Sequence, residues 1–154
     1  MAGWNTPRQE RNKVFKIRIK RLKGNLILSD KFIKRLIQKT LESQGIKNAE
    51  VGLLIVGDDK IARLNRKYLG RIGPTDVLAF SMREGKKVSG SGENLGDVVI
   101  SVDRAKEQAA EFKNSLKKEL SLYVIHGVLH LAGHKDGSRK MEKLQAKILE
   151  SFFK

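Results

Sequence analysis

The chain has 154 residues, 40% of them hydrophobic and 32% charged, which suits one globular domain with a real core and leaves little room for a second. Thirty-two Lys and Arg against seventeen Asp and Glu give a net charge of +15 and a pI of about 10.2, so a polyanion, nucleic acid above all, is the expected partner. There is no cysteine, which excludes disulfides, thiolate-held zinc and thiol catalysis; no apolar run nears the roughly 20 residues that span a bilayer, and the polar stretch Met1–Asn12 has no signal core.

Residues 1–12 read as a loose polar tail on a single domain covering 1–154. Phe15, Ile17 and Ile19 then alternate with Lys16, Arg18 and Lys20, a period of two that predicts a strand with one buried and one cationic face. Lys16, Arg18 and Lys20 can track RNA phosphates or serve as a charged edge that resists aggregation. Ser29 or Asp30 caps a helix to about Gln44, stopped by Gly45, with Phe32, Ile33, Leu36, Ile37 and Leu41 as its apolar stripe. Val51–Val56 is an almost unbroken apolar run, hence a central strand. Asp58 and Asp59 open a helix through Tyr68, their charges favoured at its N-terminus.

Asp76–Met82 predicts a strand, the Gly-, Ser- and Lys-rich Glu84–Asn94 a flexible loop, and Leu95–Val102 another strand. Three helices follow, near Asp103–Lys113, Ser115–Leu131 and Ser138–Phe153, the last with Met141, Leu144, Ile148 and Phe152 on its buried side. Strands and helices alternate early and helices dominate late, which predicts an α+β fold: a small mixed sheet covered by helices.

All three histidines lie within nine residues: His126, His130 and His134. His126 and His130, four apart on a predicted helix, share one face and can chelate one divalent cation. Gly133 can end the helix in a left-handed conformation, and the chain then returns, so His134 or Asp136 can supply a third ligand. Asp136 completes an HxxxHxxGxxD spacing used by some zinc proteases; it can equally cap the following helix. The plainer alternative for the histidines is a pair of half-buried side chains. Gly127 stands where a metalloprotease places its general-base Glu, so peptide hydrolysis is disfavoured.

The run His126-Gly127-Val128-Leu129-His130-Leu131-Ala132-Gly133 resembles the HGxLHLxG signature of the YbeY family of bacterial endoribonucleases. Pro74-Thr75-Asp76-Val77-Leu78-Ala79-Phe80 resembles that family's PTDVLSF segment, and Leu95-Gly96-Asp97-Val98-Val99-Ile100-Ser101 its LGDIVIS segment. Leu64-Asn65, with Tyr68, resembles its LNxxYR segment. The four matches fall in family order between Val51 and Asp136.

The resemblance implies a zincin- or metzincin-like fold with a four-stranded sheet and the HxxxH pair on a helix. It also implies a cytoplasmic, single-strand-specific endoribonuclease that acts in ribosomal RNA maturation, including the 3′ end of small-subunit RNA, and in ribosome quality control. One divalent metal of zinc type, held by three ligands, is implied as cofactor. The sequence departs from the family twice. Asp136 stands at the third-ligand position, usually His, with His134 as the alternative. Leu69 replaces an Arg associated with phosphate, for which Arg71, or else Arg66, is the nearby substitute.

Thr75, Asp76 and Asp97 can orient ligands or substrate from behind, or simply form a turn and a strand start. Two other readings of the function stay open: a non-catalytic RNA- or ribosome-binding module with a structural metal, and, disfavoured by Gly127, a metalloprotease.

Overall fold

A computed structural model describes residues 13–23, 28–82, 91–135 and 137–153. Its elements are β1 (Val14–Arg21), α1 (Asp30–Ser43), β2 (Asn48–Val56), α2 (Asp58–Leu69), β3 (Val77–Ser81), β4 (Ser91–Ser101), α3 (Val102–Glu111), α4 (Leu116–Leu131) and α5 (Arg139–Phe152). They form an α+β fold around a mixed four-stranded sheet in the order β1-β2-β4-β3. β1, β2 and β4 are parallel, and β3 pairs antiparallel with β4 as an edge strand.

The local chemistry accounts for each element. Along β1 the half-buried residues Phe15, Ile17 and Ile19 alternate with exposed Lys16, Arg18 and Lys20, because successive side chains leave a strand on opposite faces. β2 is paired on both sides and apolar on both faces, as its sequence requires. Ser29, Ser101, Ser115 and Ser138 each cap a helix, their hydroxyls accepting from the backbone N–H of Phe32, Arg104, Lys118 and Met141.

One expected boundary moves. Ser91–Asn94 belong to β4 rather than to a loop, because β2 extends back to Asn48 and offers Asn48–Glu50 as pairing partners through two register shifts. Backbone pairing does not depend on the polar side chains that made this stretch look like loop. The rest of that expected loop, 84–90, and the expected tail, 1–12, lie outside the described residues.

The sheet separates two apolar clusters. On one face Val51, Leu53, Ile55, Val98 and Ile100 pack against α1, α3, α4 and α5. On the other, Val56, Leu78 and Val99 meet Ile61 of α2, with Leu54, Leu64 and Phe80 half-buried around them. α4 lies at the centre of the first face, touching α1, α3, α5, β3 and β4. Among the described residues no helix is long and apolar enough to cross a membrane.

Candidate metal centre

α4 is buried nearly all round, with Leu120, Tyr123, Val124, Ile125, Val128, Leu129 and Leu131 almost fully covered. That is the pattern of a helix enclosed by other elements. Its approach to the sheet is set by Gly127: a Cβ there would overlap Val98 Cγ1 and press on Val77 at 3.2 Å. The absence of a side chain at this position therefore has a packing cause, and a Glu would not fit between α4 and β4.

His126 and His130 lie one turn apart on α4, both half-buried. Their Nε2 atoms stand 3.1 Å apart, and the rings meet edge-on at 74° with centroids 4.7 Å apart. Each ring is held from behind. Gln145 Oε1 of α5 lies 2.8 Å from His126 Nδ1, and the His134 carbonyl oxygen lies 2.9 Å from His130 Nδ1. An amide or carbonyl oxygen accepts, so each Nδ1 donates in this arrangement and both Nε2 atoms are turned to the same point.

Two imidazole nitrogens turned to one point at this distance can share a hydrogen bond or a cation. Zn–N bonds of about 2.0–2.1 Å at a tetrahedral angle place two imidazole nitrogens about 3.3 Å apart. The donor pair fits a zinc-type ion.

The turn after α4 sets the supporting contact. Gly133 takes φ +105°, and the N–H of His134 returns to Leu129 O at 3.0 Å. This brings the His134 carbonyl under His130. The His134 ring points elsewhere: its Nε2 is 2.5 Å from Gln44 Oε1, at the end of α1. Burial, and secondarily the Lys140 charge, hold this imidazole below the ordinary histidine range, and its Nε2–H donates to the Gln44 oxygen. Asp136 lies outside the described residues, and among those residues no group of three His, Asp or Glu gathers around one point.

The two histidines form one wall of a cleft of about 380 Å³, whose other walls include Leu69, Arg71, Thr75, Asp76, Ala79 and Ser81. Thus Arg71, Thr75 and Asp76 join the histidine pair, as does Leu69 at the position of the family arginine. Arg66 is exposed on α2 and is not part of the cleft lining. Asp76 also has the structural role expected of a turn: its Oδ1 accepts from Val77 N at 2.8 Å and its carbonyl from Ser101 N at 3.0 Å. Arg71 is carried on a segment anchored by Asn65, whose Nδ2 donates to Gly73 O at 3.0 Å.

Of the two readings of Asp97, the structure gives it the place in a strand, β4. Side chains alternate along β4, and Val98 faces α4, so Asp97 projects from the opposite face. There its Oδ1 is 3.6 Å from Arg18 Nη2. Lys16 and Lys20 share that face with Arg18, away from the histidines.

The residues that sequence reasoning missed are Gln145 and Gln44. No motif marks them; a position on α5 facing α4 was the only available signal for Gln145, and it reads equally as core.

The family described as Endoribonuclease YbeY matches residues 16–153. Curated relatives bearing that name include a protein of Pelotomaculum thermopropionicum, 43% identical over 113 residues and covering 71% of this chain and 74% of that protein. The relative from Bacillus subtilis is 36% identical over 137 residues, covering 79% and 85%. That from Syntrophotalea carbinolica is 36% identical over 138 residues, covering 86% and 92%. Among solved structures, the solution structure of TM1509 from Thermotoga maritima superposes with a TM-score of 0.66 at 32% identity and covers 89% of each chain.

Proposed function

The chain belongs to the YbeY family, and from that premise we propose that it is a metal-dependent endoribonuclease of single-stranded ribosomal RNA. The observation that carries the reading is the histidine pair, with two Nε2 atoms 3.1 Å apart and both Nδ1 atoms engaged from behind. His126 and His130 would hold one zinc-type divalent ion, and Asp136 would complete the set, since the alternative third ligand, His134, has its ring turned to Gln44. The site then has the zincin-like form, an HxxxH pair on a helix behind a mixed sheet, in a single domain spanning the chain.

A bound ion supplies Lewis acidity, favouring deprotonation of the attacking oxygen and withdrawing charge from the phosphodiester. The chain's own residues do the rest. The Arg71 guanidinium, at the cleft wall, donates to a non-bridging phosphate oxygen and stabilises the charge that builds in the transition state. Asp76 fixes the start of β3 and hence the wall opposite the histidines. The basic surface, +15 overall, holds the RNA backbone without reading sequence. The setting is the cytoplasm, with ribosomal RNA and the ribosome as partners, in maturation of the small-subunit 3′ end and in quality control.

A second reading has a specific observation in its favour. Leu69 takes the place of the family arginine in the wall of the histidine cleft. An RNA- or ribosome-binding module with a structural metal does not need that arginine. Cutting of a single-stranded ribosomal RNA fragment by protein of measured metal content, beside His126→Ala, separates the two. Metal-dependent cutting lost in the variant supports the nuclease. Metal-loaded protein that binds RNA in a salt-sensitive way and never cuts it supports the module. Peptide cleavage is expected from neither, since Gly127 leaves no room for a general base.

A further inference from the structure

The face of the sheet turned away from the histidines carries a groove that the proposed chemistry does not use. Its cavity measures about 530 Å³, within the roughly 300–1,000 Å³ usual for small-ligand sites. The sheet register explains why it exists. Arg18, Gly52, Asp97 and Phe80 lie in one row across all four strands. Gly52 leaves the gap: a Cβ there would overlap Asp97 Oδ1 and lie 3.2 Å from Arg18 Nη2. In the next row Lys20, Leu54, Val99 and Leu78 are aligned, and α2 covers it through Ile61 and Leu64. The uncovered row opens the groove, and Leu54 and Val99 of the neighbouring row supply its apolar floor at the border between the two.

Its walls have a distinctive chemistry. Tyr68 is 58% exposed and stands edge-on to Phe80, ring centroids 5.4 Å apart. Arg18 and Lys20 line the opposite side, and the Lys67 ammonium lies 5.2 Å from the Tyr68 ring. Asp97, 52% exposed at its side chain, is the one carboxylate of the lining among the described residues.

We propose that this groove binds one unpaired nucleobase of an RNA strand. The base lies against Tyr68 over the apolar floor, as sequence-tolerant aromatic sites hold bases. The flanking phosphates meet Lys20 and Arg18, complementary in charge to a polyanion. Asp97 accepts from the amino group of cytosine, adenine or guanine; uracil has no such group.

The groove and the histidine cleft share their border. Consecutive residues at the end of α2 divide between them, Tyr68 lining the groove and Leu69 the cleft, and along β3 Phe80 lines one and Ser81 the other. A strand crossing the β3 edge reaches both, and a base already paired in a duplex cannot enter the groove. The proposal deepens the RNA-cleaving reading and rests on it for its substrate class.

The test measures binding alone, in the full chain carrying His126→Ala, so that failure of cleavage and failure of the groove are read separately. The probes are short single-stranded oligo(C), oligo(U) and an abasic ribose-phosphate strand. Tyr68→Ala should weaken oligo(C) binding about tenfold, Tyr68→Phe should change it little, and the abasic strand should bind all three proteins alike. Oligo(C) should bind more tightly than oligo(U), and Asp97→Asn should narrow that difference. Equal oligo(C) affinity with and without Tyr68→Ala overturns the proposal, as does an equal loss on the abasic strand. Tyr68→Ala that binds free RNA normally but no longer sediments with ribosomal subunits overturns it too, and assigns the groove to a protein partner.

Discussion

The two faces of the sheet hold their functional groups by different means. On the α4 face the histidines sit on a helix enclosed by apolar side chains, and each ring is fixed by one neutral acceptor. On the α2 face the polar groups meet nearer the surface and at element ends: Arg18 on Asp97 across the strands, Lys23 on Asp103 at the start of α3, and buried Ser101 on Asp58 at the start of α2. A chelating pair must keep its geometry within tenths of an ångström, and close-packed burial provides that. A strand of RNA is long, charged and variable, and mobile surface cations on a shallow floor suit it better. The difference predicts that substitutions on the first face will act on metal and chemistry, and those on the second on RNA and salt dependence.

The strongest way to break that comparison is His130→Ala. It removes one Nε2 of the pair, and metal content should fall towards zero with RNA cutting reduced at least about a hundredfold. Salt-sensitive RNA binding should persist, since the groove lies on the other face. Loss of RNA binding together with metal would show that the two faces are one site.

Gln145→Leu is the next largest. It removes the acceptor 2.8 Å behind His126 while keeping the volume of the side chain. Outer partners of metal-bound histidines are typically worth about 10- to 100-fold in affinity, so competition against a chelator should show a loss of that size. Because the support is a neutral amide rather than a carboxylate, Gln145→Glu should raise the basicity of His126 and strengthen binding. Unchanged metal affinity in both variants would remove Gln145 from the centre.

Much of this was legible in the sequence. The element order, the alternation in β1, the cap at the start of α1 and the central burial of β2 follow from local pattern, and each is found. The histidine pair was legible because a spacing of four on a helix fixes a shared face. What was not legible depends on tertiary register. Asp97 sits in a recognisable segment, yet nothing local says which face of β4 it takes. That is decided by Val98 meeting Gly127. Gln145 and Gln44 come from helices 19 and 90 residues away in the chain, a distance over which periodicity carries no information. The groove was hidden for a similar reason: Arg18, Gly52, Asp97 and Phe80 become a row only once four strands are in register.

A smaller effect tests how tightly the first face is packed. Gly127→Ala gains about 1 kcal/mol of helix propensity. The added methyl overlaps Val98, which is fully buried and has nowhere to go, and overpacking of that kind costs about 1–3 kcal/mol. The net result should be a loss of up to about 2 kcal/mol in denaturant unfolding, with weaker metal binding as α4 lifts. Val98→Ala in the same chain should recover part of both. If Gly127→Ala proves stabilising, the close approach of α4 to β4 is not what fixes the histidines.

The smallest effect distinguishes the faces by acid. Asp103, at the start of α3, accepts from Lys23 Nζ at 2.9 Å and from the backbone N–H of Asp58, the first residue of α2, at 2.8 Å. These two bonds, the lysine's first, hold its carboxyl below the usual range. A depressed folded-state value means that the stabilisation is complete above the unfolded-state value, about 3.9, and is lost as pH falls through the lower folded one. Asp103→Asn should therefore cost about 0.5–1 kcal/mol at pH 7, and the deficit should close as the solution is acidified below about pH 3.9. Amide exchange should show α2 loosening in acid before α4, because α2 is tied down partly by this carboxylate and α4 by apolar contacts. A deficit that is the same at both pH values would mean that the Asp103 contact is steric rather than ionic.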